Sequence, residues 1–159
     1  MVSLRRRLSG LLRSTRRAVP RRPVPRGRDQ IGYAPRADGR PDPGEVVWAW
    51  VPFEEGDGRG KDRPVLLVGR RRTPEGQRLL GLMLTSKDHD HDAADEARWG
   101  RQWMDVGTGG WDSARRPSEV RLDRLLVLDP GTVRREGAAL DRATFDRVLD
   151  AARQLHALG

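Results

Sequence analysis

Two short polar segments carry residue types that can act together on a phosphate group. Arg63 precedes the apolar run Pro64 to Val68, and Thr85 and Ser86 follow the apolar run Leu79 to Leu84. Arginine presents a planar fork of N–H donors that matches phosphate oxygens, and a threonine hydroxyl adds one directed hydrogen bond. Because short apolar runs bounded by turn residues predict strands, the arginine and the hydroxyls are placed at strand ends, where their side chains can converge.

The strands that must position these groups follow from the apolar pattern. Glu45 to Phe53 is rich in β-branched and aromatic residues on both faces, which is typical of a central strand. The glycine-rich loop Glu54 to Asp62 comes next. Pro64 is expected to begin a strand because proline cannot donate a ladder hydrogen bond, and this places Arg63 at the junction of loop and strand. The connection Arg70 to Gly76 is too short for a crossover helix, so the apolar runs beside it are predicted to pair antiparallel.

The rest of the chain predicts a mainly β domain with a C-terminal helix. Asp141 has the position of a helix N-cap, and the apolar residues after it share one helical face. The further predicted strands and that helical stripe are Trp99 to Val106, Ser118 to Leu122, Leu125 to Leu128, Thr132 to Ala139, and Phe145, Val148, Leu149, Ala152 and Leu155.

The positive charge of the chain is concentrated near its N-terminus. The 159 residues carry a net charge of +8, but residues 1–43 hold 12 arginines and three aspartates, so the remainder is nearly neutral. A segment with this charge, five prolines from Pro20 to Pro41 and few aromatic residues cannot bury enough apolar surface to offset its ordering entropy. We therefore expect a disordered basic arm over residues 1–43 and a folded domain over residues 44–159.

Three roles are open for this arm. Leu4, Leu8, Leu11 and Leu12 fall at helical spacing among arginines, so the first 19 residues can form a basic amphipathic helix on an acidic membrane or on RNA. The alternatives are a solvated arm and a sequence-independent contact with phosphates. The absence of cysteine, of a secretory signal and of an apolar run long enough to span a membrane indicates a cytoplasmic protein.

Two other features of the sequence are alternative candidates for a functional site. His89 and His91 alternate with aspartates, but no third ligand follows at a recognisable spacing, which favours a polar rim that handles a proton or a phosphate over a metal site. Trp99, Trp103 and Trp111 fall in a basic stretch, where they can either stack RNA bases or seal a small core.

An ordered set of these segments resembles a known family. Gly44 to Trp48, Lys61 to Val68, the strand that ends in Leu84 to Ser86, the stretch Ser118 to Asp129 and a closing helix are together similar to the PemK/MazF family of toxin–antitoxin endoribonucleases. The likeness spans residues 44–155. It implies a small SH3-like β-barrel of the MazF/CcdB type with helices packed on it. It also implies a homodimer that cleaves single-stranded RNA without a metal ion or other cofactor.

The resemblance also assigns roles to residues. It implies that Arg63 and Thr85 form the catalytic pair and that an antitoxin protein covers the active groove. The expected reaction is attack by the ribose 2′-OH, which leaves a 2′,3′-cyclic phosphate and a 5′-hydroxyl. Because arginine is a poor general base, His89 or a phosphate oxygen is expected to share the proton transfer. The residues expected to contact RNA are Arg59, Lys61, Ser86, Lys87, His89 and Trp111.

Other interpretations of the same residues stay open at this point. Arg63 can instead be ion-paired with Asp62 or Glu119, and Thr85 can be an ordinary hydroxyl at the end of a strand. The whole domain can be an RNA- or DNA-binding module that has lost turnover. Alternatively, the protein can be a regulator that acts through its basic arm.

Overall fold

The computed structural model describes residues 29–86 and 100–158, which form an eight-stranded antiparallel sheet followed by a helix. A short 3-10 helix, Pro130–Thr132, lies between the last two strands. The strands are β1 (Gln30–Ile31), β2 (Glu45–Pro52), β3 (Gly60–Thr73), β4 (Gly76–Thr85), β5 (Trp103–Gly107), β6 (Ser118–Arg121), β7 (Leu126–Leu128) and β8 (Arg134–Ala139), and the helix is α1 (Arg142–Arg153).

The order of the strands confirms the predicted mainly β fold with a C-terminal helix. Neighbouring strands run β5, β6, β4, β3, β2 and β8, while β1 pairs with β3 and β7 pairs with β4. Within the described residues the pairing ends at β5 on one side and at β8 on the other, so backbone hydrogen bonds do not close the expected SH3-like barrel. The open arrangement still matches the MazF-like topology that the resemblance implies.

Both faces of β2, β3 and β4 are buried, as the apolar residues on both faces of the first long strand predict. On one face, Leu66, Leu82 and Phe145 belong to a core that α1 covers. On the other face, Val65 and Leu79 belong to a second core with residues of β7. Because alternate side chains of a strand point to opposite faces, each of the three strands contributes to both cores.

The helix begins where the sequence predicts. The carboxylate of Asp141 accepts a hydrogen bond from the backbone N–H of Thr144 at 2.9 Å, which is the geometry of an N-cap. Phe145 and Val148 are fully buried, while Leu155 lies beyond the last helical residue and is 39% exposed, so the predicted stripe is one residue too long. No helix of the described residues is both long and apolar enough to cross a membrane.

The β3/β4 hairpin pairs antiparallel as predicted, but β3 begins four residues before Pro64. Arg63 is therefore inside a strand and not at a junction of loop and strand. Pro64 is tolerated there because β3 is paired with β4 only from Val65 onward, so the segment that contains the proline is flanked by β2 alone. A bulge between Leu67 and Gly69 shifts the pairing with β4 by one residue.

The domain begins earlier than residue 44, which corrects the predicted boundary of the arm. Gln30 and Ile31 pair with Arg70 and Gly69 of β3. The Tyr33 hydroxyl donates a hydrogen bond to the carbonyl of Leu140 at 2.9 Å, and its ring packs edge-on against Phe145 with the ring centroids 5.2 Å apart.

Ion pairs hold the segment before residue 44 to β3. Asp29 forms a two-pronged ion pair with Arg71, with N–O distances of 2.8 and 2.7 Å. The buried Asp42 is paired with Arg70. Only residues 1–28 of the predicted arm lie outside the described residues, and the predicted amphipathic stretch over the first 19 residues lies among them.

We expect Tyr33 to contribute measurably to the stability of the domain. Tyr33→Ala should lower the free energy of unfolding by roughly 2–3 kcal/mol, because it removes a partly buried ring from Phe145. Tyr33→Phe keeps the ring contact and should lower it by only about 1 kcal/mol, the contribution of a single hydrogen bond. Urea unfolding measures both values. An unchanged midpoint in Tyr33→Ala would show that residues 29–43 are not part of the cooperative unit.

Candidate active site

The sheet brings Arg63 and Thr85 together. The β3/β4 ladder ends at the pair of Val65 and Met83, and Arg63 and Thr85 each lie two residues beyond that pair, on the same face of the sheet. On its other side Arg63 pairs with Ala49 of β2, whose small side chain leaves room for the guanidinium. The two residues that the sequence singled out line the same cavities.

An open cavity of about 420 Å³ lies over this pair. Its rim comes from the loop after β2 and from residues on both sides of β6. Five of its lining residues are arginines, so the cavity suits an anion. The side chains that line it are Val51, Pro52, Phe53, Glu54, Glu55, Arg59, Arg63, Met83, Thr85, Arg101, Trp103, Arg121 and Arg124.

Arg63 differs from the other arginines of this cavity in having no ion pair or hydrogen-bond partner among the described residues. The alternative of an ion pair with Asp62 is not found, since Asp62 pairs with Arg134 at 3.0 Å. Partial burial lowers the pKa of Arg63, and the nearby charge of Arg124 lowers it further. The guanidinium is still a cation at neutral pH, so a half-buried positive charge is presented to the cavity without a counter-charge.

Arg121 fixes one wall of the cavity. Its side chain is only 6% exposed and is clamped between Glu54 and Asp123. Its Nη1 and Nη2 donate to Glu54 at 3.0 and 2.8 Å, and Nη2 also donates to Asp123 at 2.8 Å. Burial opposes the charge of Arg121, but these hydrogen bonds outweigh it and raise the pKa of the guanidinium. The clamp ties the loop after β2 to the end of β6.

A second, smaller cavity of about 190 Å³ shares Arg63 and Thr85 with the first. It lies on the side of the loop between β5 and β6, and its walls carry both charged and hydroxyl side chains. The lining residues are Trp48, Lys61, Asp62, Arg63, Pro64, Leu84, Thr85, Ser86, Asp112, Arg116 and Ser118.

The structure gathers three of the six residues expected to contact RNA around these cavities. Arg59 lines the first cavity, where its guanidinium contacts Asp57 at 2.6 Å and lies 5.9 Å from the centroid of the Phe53 ring. Lys61 and Ser86 line the second cavity.

The other three residues expected to contact RNA are Lys87, His89 and Trp111. Lys87 and His89 lie outside the described residues, and so does His91, the other histidine of the alternative metal site. Trp111 is 3% exposed, and its indole Nε1 donates to Ser118 Oγ at 3.1 Å. The expected stacking of Trp111 on RNA is therefore contradicted, and the alternative that this tryptophan seals the core is confirmed. No group of three or more metal-binding side chains occurs in residues 29–86 and 100–158.

Sequence reasoning missed several residues of the site. Arg101, Arg121, Arg124 and Arg116 were not singled out, because each stands in a segment where charge is common. In the alternating strand Ser118 to Leu122, Arg121 falls on the polar face with Glu119, so the sequence does not indicate that its side chain is buried.

Comparison with known proteins identifies the family of the chain. A family described as PemK-like, MazF-like toxin of type II toxin-antitoxin system matches residues 42–156. The chain belongs to this family. A search of curated proteins found no match.

We expect the Arg121 clamp to stabilise the domain. Arg121→Met should lower the free energy of unfolding by about 2–3 kcal/mol at neutral pH, because Glu54 and Asp123 lose a buried partner while keeping some contact with water. Arg134→Met is a matched control, since it breaks the exposed pair with Asp62 and should lose at most about 1 kcal/mol.

The effect of Arg121→Met should also depend on pH. Hydrogen bonds from Arg121 lower the pKa of Glu54. Burial acts against the charge of Asp123, but hydrogen bonds that include those from Arg121 lower its pKa as well. Stability from carboxylates with lowered pKa values is complete above their unfolded pKa, near pH 4, and is lost as pH falls through the folded values. The difference in the free energy of unfolding between parent and variant, measured by urea unfolding, should therefore shrink below about pH 4. A constant difference down to pH 2 would contradict the clamp.

Proposed function

We propose that this member of the MazF-like toxins is an endoribonuclease that cleaves single-stranded RNA without a metal ion. The single observation that carries the proposal is the half-buried Arg63, which has no counter-charge among the described residues and lies beside the Thr85 hydroxyl in an arginine-lined cavity. A cation desolvated in this way binds a phosphate more strongly than a fully hydrated one does.

The residue types fit cleavage by an internal nucleophile of the RNA. The ribose 2′-oxygen attacks the neighbouring phosphorus, the bond from phosphorus to the 5′-oxygen breaks, and the products are a 2′,3′-cyclic phosphate and a 5′-hydroxyl. The 2′-OH gives up its proton, and the departing 5′-oxygen takes one. In this proposal Arg63 donates to the phosphoryl oxygens as their charge grows, and Thr85 adds one directed hydrogen bond.

Thr85 is the second member of the proposed pair for a geometric reason. Arg63 and Thr85 each lie two residues beyond the last β3/β4 pair, on one face of the sheet, and they line the same cavity, so one phosphate group bound there can contact both. Both side chains also line both cavities, so an RNA strand that runs between the cavities passes the pair.

The proposal includes partners. An antitoxin with an acidic segment would pair with the exposed cations Arg59 and Lys61 and would cover Arg63. We also propose that the protein acts as a homodimer in the cytoplasm, as the resemblance implies. The family to which the chain belongs is described by its place in a toxin–antitoxin system.

RNA cleavage by the purified protein in excess chelator tests the proposal. The parent should cleave, and its products should carry 2′,3′-cyclic phosphate and 5′-hydroxyl ends. Arg63→Ala and Thr85→Val should each be slower by roughly a hundredfold or more, because losing one donor to a developing oxyanion raises the barrier by about 3–4 kcal/mol. Arg63→Lys should also fall well below the parent, since an ammonium cannot offer two parallel hydrogen bonds.

Two variants serve as controls. Thr85→Ser keeps a hydroxyl and should retain much more activity than Thr85→Val. Arg72→Ala removes one exposed charge at the far end of β3 and should cleave as the parent does. Activity that survives Arg63→Ala but vanishes with chelator would overturn the mechanism. A folded parent that binds single-stranded RNA and never cleaves it would identify a binding module.

A further inference from the structure

We propose that the second cavity binds the nucleotide next to the cleaved linkage and that Arg116 holds the phosphate of that nucleotide. The inference rests on the proposed function, because it takes the reactive phosphate to lie at Arg63 and Thr85. It adds a binding site with a stated ligand, a ribonucleotide of single-stranded RNA, and a residue that holds this ligand without taking part in the chemistry.

The two cavities share a wall, and this arrangement suggests how an RNA strand is placed. Arg63 and Thr85 line both the larger cavity and the smaller one. An RNA chain whose phosphate contacts this wall continues in two directions from it. One neighbouring nucleotide is then directed toward the larger cavity and the other toward the smaller cavity.

Arg116 has the geometry of a positioned phosphate ligand. Its Nε donates to Asp112 Oδ2 at 2.8 Å, and its Nη2 approaches Asp112 Oδ1 at 3.4 Å. The side chain is nevertheless 62% exposed, so the outer edge of the guanidinium faces the solvent at the cavity. An arginine held by a carboxylate along one edge can use the N–H groups of its free edge for a phosphate.

Asp112 is itself fixed, so the position of Arg116 is set by the fold. Its side chain is 10% exposed, and it accepts a hydrogen bond from the backbone N–H of Ala114 at 3.0 Å. The Arg116 hydrogen bond is the main cause that lowers the pKa of Asp112, so this carboxylate is charged at neutral pH. The turn that brings Arg116 back to Asp112 contains Arg115 at φ +48°, a left-handed conformation that few residues other than glycine adopt.

Two tryptophans anchor the loop that carries Arg116. The indole N–H of Trp48 in β2 donates to the carbonyl of Trp111 at 3.0 Å, and the indole N–H of Trp111 donates to Ser118 at the start of β6. The loop is thereby tied to the strand beside Arg63. A rigid loop explains how a largely exposed arginine can keep a fixed position relative to the catalytic pair.

The remaining walls of the second cavity suit a nucleotide better than a simple anion. Lys61 adds a third cation beside Arg63 and Arg116, Ser86 offers a hydroxyl, and Trp48 contributes apolar surface. Asp62 is also present, but Arg134 binds its carboxylate. A phosphate ester that continues into a sugar can use the cations and the apolar wall together, whereas a free phosphate uses only the cations.

Steady-state cleavage of a short single-stranded RNA with one cleavable linkage provides the first test. Arg116→Ala should raise KM roughly tenfold and leave kcat almost unchanged, because the interaction is made equally in the ground state and the transition state. Arg116→Lys keeps the charge but loses the planar fork of N–H donors, so its KM should lie between those of the parent and Arg116→Ala. Arg72→Ala removes the same charge far from the cavity and should match the parent. Equal KM values for the parent and Arg116→Ala would overturn the inference.

Binding of modified RNA identifies the contact itself. The RNA carries a 2′-deoxynucleotide at the cleavage point, which prevents reaction. Two versions of this RNA are compared, and each has one neutral methylphosphonate, placed at the linkage before or at the linkage after the cleavage point. In the parent, one of the two replacements should weaken binding roughly tenfold, and in Arg116→Ala the same replacement should have no further effect. If both replacements weaken the parent and Arg116→Ala by equal factors, Arg116 does not contact a flanking phosphate. If the parent neither binds nor cleaves RNA, the proposed function fails and this inference fails with it.

Discussion

The candidate site depends on the register of the β3/β4 hairpin, and a bulge sets that register. The short turn between Thr73 and Gly76 alone would bring Arg63 opposite Ser86. The extra residue of β3 at the bulge shifts the pairing by one, so Thr85 takes that place instead. Because a shift of one residue moves a side chain to the other face of the sheet, the bulge decides which hydroxyl faces the guanidinium.

Close packing holds this register in place. A side chain at Gly81 would have its Cβ only 2.4 Å from Val65 Cγ1, so the glycine of β4 must stay at this point of the ladder. At Gly69 a Cβ would lie 2.6 Å from the carbonyl oxygen of Gln30 in β1. The segment that begins at residue 29 thus occupies space that only a glycine in β3 leaves open. With cores on both faces, any slip of β4 would also bury or expose apolar side chains on two sides at once.

The sequence alone predicted those elements of the fold that are determined by residues close together in the chain. Apolar runs between turn residues identified the long strands, and Asp141 identified the start of the helix. The bulge and the segment 29–43 were not predictable, because they depend on contacts between residues far apart in the chain. The Tyr33 hydroxyl donates a hydrogen bond to the carbonyl of Leu140. The charged residues of this segment suggest a solvated arm, but Asp29 is paired with Arg71 in the folded domain. Arg63 and Thr85 were predicted from their spacing and the family resemblance, whereas the positions of Arg121 and Arg116 depend on carboxylates that the fold places beside them.

The net positive charge of the chain lies outside the domain that carries the candidate site. Residues 1–28 hold ten arginines and no acidic residue, whereas the rest of the chain carries a net charge of −2. If the protein acts on RNA as proposed, this charge favours a sequence-independent attraction to phosphates by the N-terminal segment, whereas the domain contributes locally placed cations. Asp29, where that segment joins the domain, pairs with Arg71, eight residues along β3 from Arg63, or about 25 Å at the rise of a strand. In the proposed function, phosphate contacts made away from the candidate site would act equally before and during reaction, so they would not replace the hydrogen bonds of Arg63 in the transition state.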